Sequence, residues 1–429
     1  MLRSFQVGNH RSLKAEQELL LMPTYTGPGP VVPVAAAFGS NASGKSNLLD
    51  SLRWMQNAVN HSYRSWEPES GVPRTPFKLD PDAERQPSGF AVDLILDGVQ
   101  FVYGFSVTDE AVTEEWLHAY PRGRERVIFE REGQSVKLGS TLPERRGRAD
   151  ALKSLLRANA LLLSTAVQAN QEEVLPVYRW FRDGLRVLDS RRSWARTAGV
   201  MTDRFLDAMR RYPEFVELIK VADVGISGVE AVPARAEIVR ADAMARLLAD
   251  GDPARLLKDR LQEGTLQQEV SFAHGGGEAR LGMDDQSDGT LAWADLVIAA
   301  LSALEAGAVL AIDEIDASLH PRLTARLIEL FRSAEVNPRG AQLIFTSHDA
   351  TLLGTGLGGE ILKRDEIWFV EKEDNASRLY PLSDFHPRKG ENWERRYLAG
   401  SYGAVPITFT GSAVDSVLAA REGRPDAAA

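Results

Sequence analysis

The chain has 429 residues, 44% hydrophobic and 26% charged, enough for two or three domains and a full core of the ordinary globular kind. Its 60 acidic residues outweigh 50 basic ones, and the resulting net charge of −10 excludes a general nucleic-acid coat. Cysteine is absent, which excludes disulfides, thiolate nucleophiles and cysteine-ligated zinc and suits a reducing cytoplasm.

The opening MLRSFQVGNHRSLK has no apolar signal core, so the expected location is the cytoplasm. Residues 1–60 read as short strands, a loop and a helix. The apolar run VVPVAAA predicts a buried strand that leads into FGSNASGKSNLLDSL, Phe38 to Leu52. Between the strand end and a helix beginning near Lys45 stand Gly39, Ser40, Asn41, Ala42, Ser43 and Gly44. Small residues there let several backbone N–H groups converge beside the positive end of a helix dipole, which makes an anion cradle. Lys45 adds a mobile positive charge, Ser46 a hydroxyl able to hold Mg²⁺, and Asn47 closes the set of nucleotide-binding candidates. The spacing Gly39-x-x-x-x-Gly44-Lys45-Ser46 fits the phosphate-loop pattern. A glycine-rich turn that only caps a helix would leave Lys45 unexplained.

Trp66 to Ser88 is rich in Pro, Gly and charge and reads as a loop. Alternating residues around Asp97-Gly98 predict a β-hairpin, and RVIFEREGQSVKLG predicts a second. Antiparallel ribbons beside a phosphate loop imply a mixed sheet. From 145 to 268 the pattern is mainly helical, as in RADALKSLLRANALLLSTAVQAN and MARLLADGDPARLLKDRLQ, with a strand in VGISGVEAVPARAEIVR. Residues 145–211 hold 14 Lys/Arg against 7 Asp/Glu. That excess suits either a solvated helical face or a docking patch for nucleic acid or an acidic partner. Reversing Arg191, Arg192 and Arg196 to Glu is expected to weaken partner binding while basal hydrolysis stays nearly intact; if these arginines only solvate a face or pair with acids such as Asp183 and Asp189, binding would stay normal. Further on, Leu291 to Ile312 is the longest apolar segment, but Asp295 and Glu305 argue for a buried helix and strand over a membrane span. No internal repeat or sustained heptad appears, which argues against coiled-coil arms, and the end REGRPDAAA is expected to be disordered.

Three further stretches carry chemistry. VLAIDEID ends an apolar strand on two carboxylates: Asp313, suited to orienting Mg²⁺ through its water shell, and Glu314, suited to polarising an attacking water. LIFTSHD ends another strand on His348, which as a neutral imidazole could contact a γ-phosphate and hold that water. In DQSDGTLAWADLV, Ser287 and Gly289 stand at a helix start, a second anion site. One nucleotide already has its loop, so the economical reading gives this site to the nucleotide of another copy. Two heads would then sandwich two ATP molecules about a twofold axis.

With these pieces in order, the chain resembles ABC-type ATPases of the chromosome-maintenance and recombination-repair class. It is more closely similar to bacterial AAA family ATPases of the overcoming-lysogenization-defect and abortive-infection group. FGSNASGKSNLLDSL stands as Walker A, QSDGT as a degenerate signature, VLAIDEID as Walker B, DASLHP as the D-loop and TSHD as the H-loop. LRSFQVGNHRSLK and YPLSDFHPRKGENWERRYLAGSYGAVP resemble the family's opening and closing segments. The likeness covers nearly all of 1–60 and 270–408. Gln286 replaces the usual leucine before the signature serine, and Asp288 and Thr290 also depart from the common pattern. The resemblance implies a glutamine-loop ligand to the metal, for which Gln168 is the candidate and Gln86 the second choice.

It further implies an α/β ABC-ATPase head, with a mixed sheet and an antiparallel β subdomain, carrying a mainly helical insertion. Residues 1–144 and 269–410 would form the head, 145–268 the insertion and 411–429 a disordered tail. The implied cofactors are ATP and Mg²⁺, and the implied assembly a homodimer or higher oligomer. No nuclease module of the overcoming-lysogenization-defect kind is evident, so an effector nuclease or toxin would be a separate protein encoded nearby. The first functional expectation is an ATP-driven switch subunit in an antiphage or toxin–antitoxin-type system. A DNA-repair or DNA-end-sensing ATPase is the second. A transporter's nucleotide-binding subunit is disfavoured by the long stretch between Ser46 and Ser287.

Overall fold

The alternation that marks the N-terminal third as β-structure becomes one antiparallel sheet. The computed structural model of the chain describes residues 1–24, 29–139, 152, 154–189, 198–222, 225–233, 268–275, 280–317, 319–388 and 390–405. Its first elements are β1 (Leu2–Gly8), β2 (Gln17–Leu20), β3 (Val34–Phe38), α1 (Lys45–Ser65) and α2 (Pro81–Arg85), the last inside the stretch read as loop. Then come β4 (Ser88–Leu96), β5 (Val99–Val107), β6 (Val112–Tyr120), β7 (Arg126–Glu132) and β8 (Ser135–Leu138). Seven of these strands make a sheet in the order β2-β1-β4-β5-β6-β7-β8. Asp97 (φ 49°) and Gly98 (φ 76°) form the expected two-residue turn between β4 and β5.

Next follow α3 (Leu162–Gln168), α4 (Leu175–Arg179), β9 (Leu185–Asp189), α5 (Ala198–Arg211) and α6 (Phe215–Ala222). β10 (Ile226–Pro233), β11 (Gln268–His274) and β12 (Arg280–Leu281) pair into a small antiparallel sheet, realising the strand expected in VGISGVEAVPARAEIVR. The chain continues through α7 (Asp288–Ala306), β13 (Val309–Asp313), α8 (Pro321–Arg332), β14 (Gln342–Ser347), β15 (Ile367–Glu373), β16 (Ala376–Pro381) and α9 (Trp393–Leu398).

The central sheet has the order β16-β15-β3-β14-β13-β9, parallel throughout except for the antiparallel edge β16. Both faces are covered, which is why the inner strands β3 and β13 read as nearly unbroken apolar runs. Along β3 the alternation divides the side chains between two cores. Ala35 and Ala37 join a core with α1 and the antiparallel sheet, built around Phe5, Phe90, Phe105 and Met55. Val34, Ala36 and Phe38 join the opposite core, with Trp293, Phe331 and Phe345. α7 is long and apolar enough to cross a membrane, yet 67% of its apolar window is buried inside this second core, the place expected for it.

The segment 145–268, read as mainly helical and as external to the nucleotide machinery, contributes β9 to the central sheet. Asp189 pairs in register with Asp313. A strand of only five residues, LRVLD, next to helical neighbours gave too short a period to separate from them. Within RADALKSLLRANALLLSTAVQAN, Leu152, Ser154, Leu155 and Leu162–Gln168 are helical, while residues 148–151 and 153 lie outside the described residues. MARLLADGDPARLLKDRLQ, Arg191, Arg192, Arg196 and the segment 411–429 lie outside the described residues.

A buried polar pin joins α3 to the antiparallel sheet. The Glu115 carboxylate accepts the N–H groups of Leu162 (2.5 Å) and Leu163 (2.9 Å), orphan donors of α3's first turn, and the Tyr103 hydroxyl (3.1 Å). Arg131, its side chain 0% exposed, stands 3.6 Å from Glu115 and donates to the carbonyls of Ala160, Arg157 and Gly133. Burial pushes the Glu115 carboxyl upward, against the charge of Arg131 and these hydrogen bonds.

Candidate functional site

β3 ends at Phe38, and the next position has room only for glycine. A Cβ on Gly39 would stand 2.3 Å from the Val370 carbonyl oxygen of β15. At the other end of the loop Gly44 has φ +109°, and a Cβ there would meet Ser377 Oγ at 2.0 Å. Gly44→Ala is therefore expected to disorganise the loop and lower the melting temperature, measurable by thermal denaturation. Ala42 occupies the left-handed region (φ 64°), which costs a non-glycine residue roughly 1 kcal/mol. Lys45 is buried, its Nζ donating to the carbonyls of Gly39 (2.6 Å) and Ser40 (2.9 Å), so the ammonium spans the loop from inside.

A hydroxyl network holds the loop from behind. Ser377 Oγ, on β16, donates to the Ser43 carbonyl (2.5 Å) and lies 2.6 Å from Ser12 Oγ. Asn47 Nδ2 donates to that same Ser12 oxygen (2.6 Å), and the Asn47 N–H bonds the Gly44 carbonyl (2.9 Å). The Asn47 side chain thus braces the loop. Below it, Asp50 of α1 receives His10 (3.0 Å), Arg11 (2.5 Å) and Arg53 (2.5 Å). Burial pushes the Asp50 carboxyl up, but these partners outweigh it and hold it at about 2.

The order β3-β14-β13 brings the acids to the same carboxyl edge as the loop, one strand away. Ser46 Oγ donates to Asp313 Oδ1 (3.1 Å), a direct link between loop and acid. Thr346 Oγ1 donates to the same oxygen (2.6 Å) and accepts the Glu314 N–H (2.7 Å). Glu314 leaves the strand in the left-handed region, φ 51°. Beyond β14, His348 Nδ1 stands 2.8 Å from Asp316 Oδ2, with its ring 60% exposed. Ser287 caps α7, its Oγ accepting from the Thr290 N–H (3.1 Å), with Gly289 in the first helical turn.

Gln168 is not brought to this edge. It accepts from Arg64 Nη2 (3.3 Å) in the last turn of α1, about 28 Å along the helix axis from Lys45. Gln86 ends α2, its carbonyl accepting from Asn9 and Arg74. Neither is placed to ligate a metal at Asp313. The strand-end neighbour of Asp313 is instead Asp189. Ser12, Ser377 and Thr346 had no spacing signal, because each meets its partner across a long stretch of chain.

The five parallel strands, taken in chain order, stand as fifth, first, fourth, third, second. A phosphate loop after the first and an acid pair after the third, beside an antiparallel sheet, define a P-loop ATPase domain of the ABC type. The chain belongs to the family described as "AAA domain, putative AbiEii toxin, Type IV TA system", whose model matches residues 35–354. Among solved structures it is similar to the SMC head domain from Thermotoga maritima, at 14% identity and a TM-score of 0.39, over 89% of this chain and 98% of that one. No curated protein matches the chain.

Proposed function

We propose that this protein is an ATP-binding and ATP-hydrolysing switch subunit that dimerises through ATP and controls a separate effector, a nuclease or toxin, in a bacterial antiphage or toxin–antitoxin-type system. The observation that carries the reading is the Lys45–Ser46 loop joined through Ser46 to Asp313, with Glu314 next in sequence. The donor set fits the cofactors: a buried lysine, loop N–H groups, and a hydroxyl with a carboxylate 3.1 Å apart, the hard oxygen ligands that Mg²⁺ takes. Bound Mg²⁺·ATP supplies the phosphoanhydride bond and neutralises charge developing on its oxygens. Lys45 neutralises phosphate charge. Glu314 accepts the proton of the attacking water, and His348, oriented by Asp316, steadies that water. Ser287 and Gly289 supply a hydroxyl and a helix N-terminus to the nucleotide of a second copy.

The family's toxin–antitoxin description supports the effector reading. The positive excess over 145–211 supports a second reading, a DNA-end-sensing ATPase. β9, within that segment, ends beside Asp313, and Arg191 and Arg192 come two and three residues later in the sequence. Reversing them would test recognition and hydrolysis together.

Glu314→Gln is expected to keep ATP binding and accumulate a dimer, since the water loses its base while both anion sites persist. Light scattering with and without Mg²⁺·ATP reads the mass. A mass that never responds to ATP would refute the ATP-driven dimer.

A further inference from the structure

Asp313 and Glu314 are consecutive at a strand end, where regular pleating would send their side chains to opposite faces. Both can serve one site only if the backbone turns between them, and it does: Glu314 has φ 51°. A non-glycine residue stays in that region only when its surroundings hold it there. Thr346 supplies the hold through three hydrogen bonds. Its hydroxyl accepts the Glu314 N–H (2.7 Å) and donates to Asp313 Oδ1 (2.6 Å), while its carbonyl accepts the Ile315 N–H (3.1 Å). The side chain is β-branched, 0% exposed and lies in the strand between the phosphate-loop strand and the acid strand. Ser46 also donates to Asp313, but its hydroxyl is the one expected to turn to the metal. Thr346 is fixed in the sheet.

We infer that Thr346 is a positioning residue for hydrolysis, its one hydroxyl setting the metal-side carboxylate and the backbone of the base at once. The inference rests on reading Glu314 as the base. The test compares Thr346→Val, Thr346→Ser and Glu314→Gln by single-turnover hydrolysis, with ATP affinity and melting temperature measured alongside. Thr346→Val should hydrolyse ATP about 10-fold or more slowly, part of the ~10²–10⁴-fold that a well-placed general base contributes, while affinity stays within about twofold. Thr346→Ser, which keeps the hydroxyl, should recover to within about threefold of wild type. Should the valine variant fail to fold, Thr346→Ala takes its place with the same readouts.

A slow Glu314→Gln beside a valine variant at wild-type rate would overturn the inference alone. So would a serine variant as slow as the valine, or a loss confined to ATP affinity. A Glu314→Gln protein at wild-type rate would overturn the base assignment and this inference with it.

Discussion

Lys45→Ala is expected to lose ATP binding by about 100-fold or more. Lys45 is 6% exposed, and its ammonium donates to two carbonyls of its own loop. On binding, phosphate oxygens would take their place in a pocket already shielded from water. A hydrogen bond to a charged group contributes about 1.5–3 kcal/mol, and two such bonds reach the stated loss. Calorimetric titration with Mg²⁺·ATP reads it directly. Wild-type affinity in the variant would sink the phosphate-loop assignment, and the switch model with it.

The second large effect concerns stability. Glu115→Ala strands the buried Arg131 guanidinium and leaves the first-turn N–H groups of α3 without an acceptor. Removing one partner of a buried ion pair costs about 3–5 kcal/mol, which should lower the melting temperature of a chain this long by about 3–6 °C. A shift within about 1 °C, a change of under ~1 kcal/mol, would show that the pin is replaceable. The loss should appear without ATP, since the pin lies at the far end of α1 from the phosphate loop.

What was legible in the sequence was local. Gly39 to Ser46, Asp313-Glu314 and His348 are short runs whose residue types and spacing state their chemistry. Asp97-Gly98 announced its hairpin through the two positive φ angles such a turn demands. The apolar run from Leu291 announced a buried helix through its length, with only Asp295 and Glu305 as stray acids. What was hidden depended on partners far along the chain. β9 is too short to show a period, and Gln168 offers only its residue type, with nothing in the sequence to show which end of α1 it faces. Thr346, Ser12 and Ser377 look like ordinary small polar residues until the sheet order sets them against Asp313 and the loop.

That sheet order also dictates when the protein can become active during its own synthesis. β3 pairs on one side with β14 and on the other with β15, partners roughly 300 residues downstream, a separation that makes the pairing slow to close. Until they emerge from the ribosome, β3 has two open edges and its apolar residues lack half their cover, the condition in which strands mispair. The antiparallel sheet next door is built mostly from successive hairpins and can form early, giving α1 and one face of β3 a surface to rest on. The nucleotide site is therefore gained in one late step. A nascent chain still lacking residues 342–373 carries the whole phosphate loop and both acids, but no sheet to bring them together.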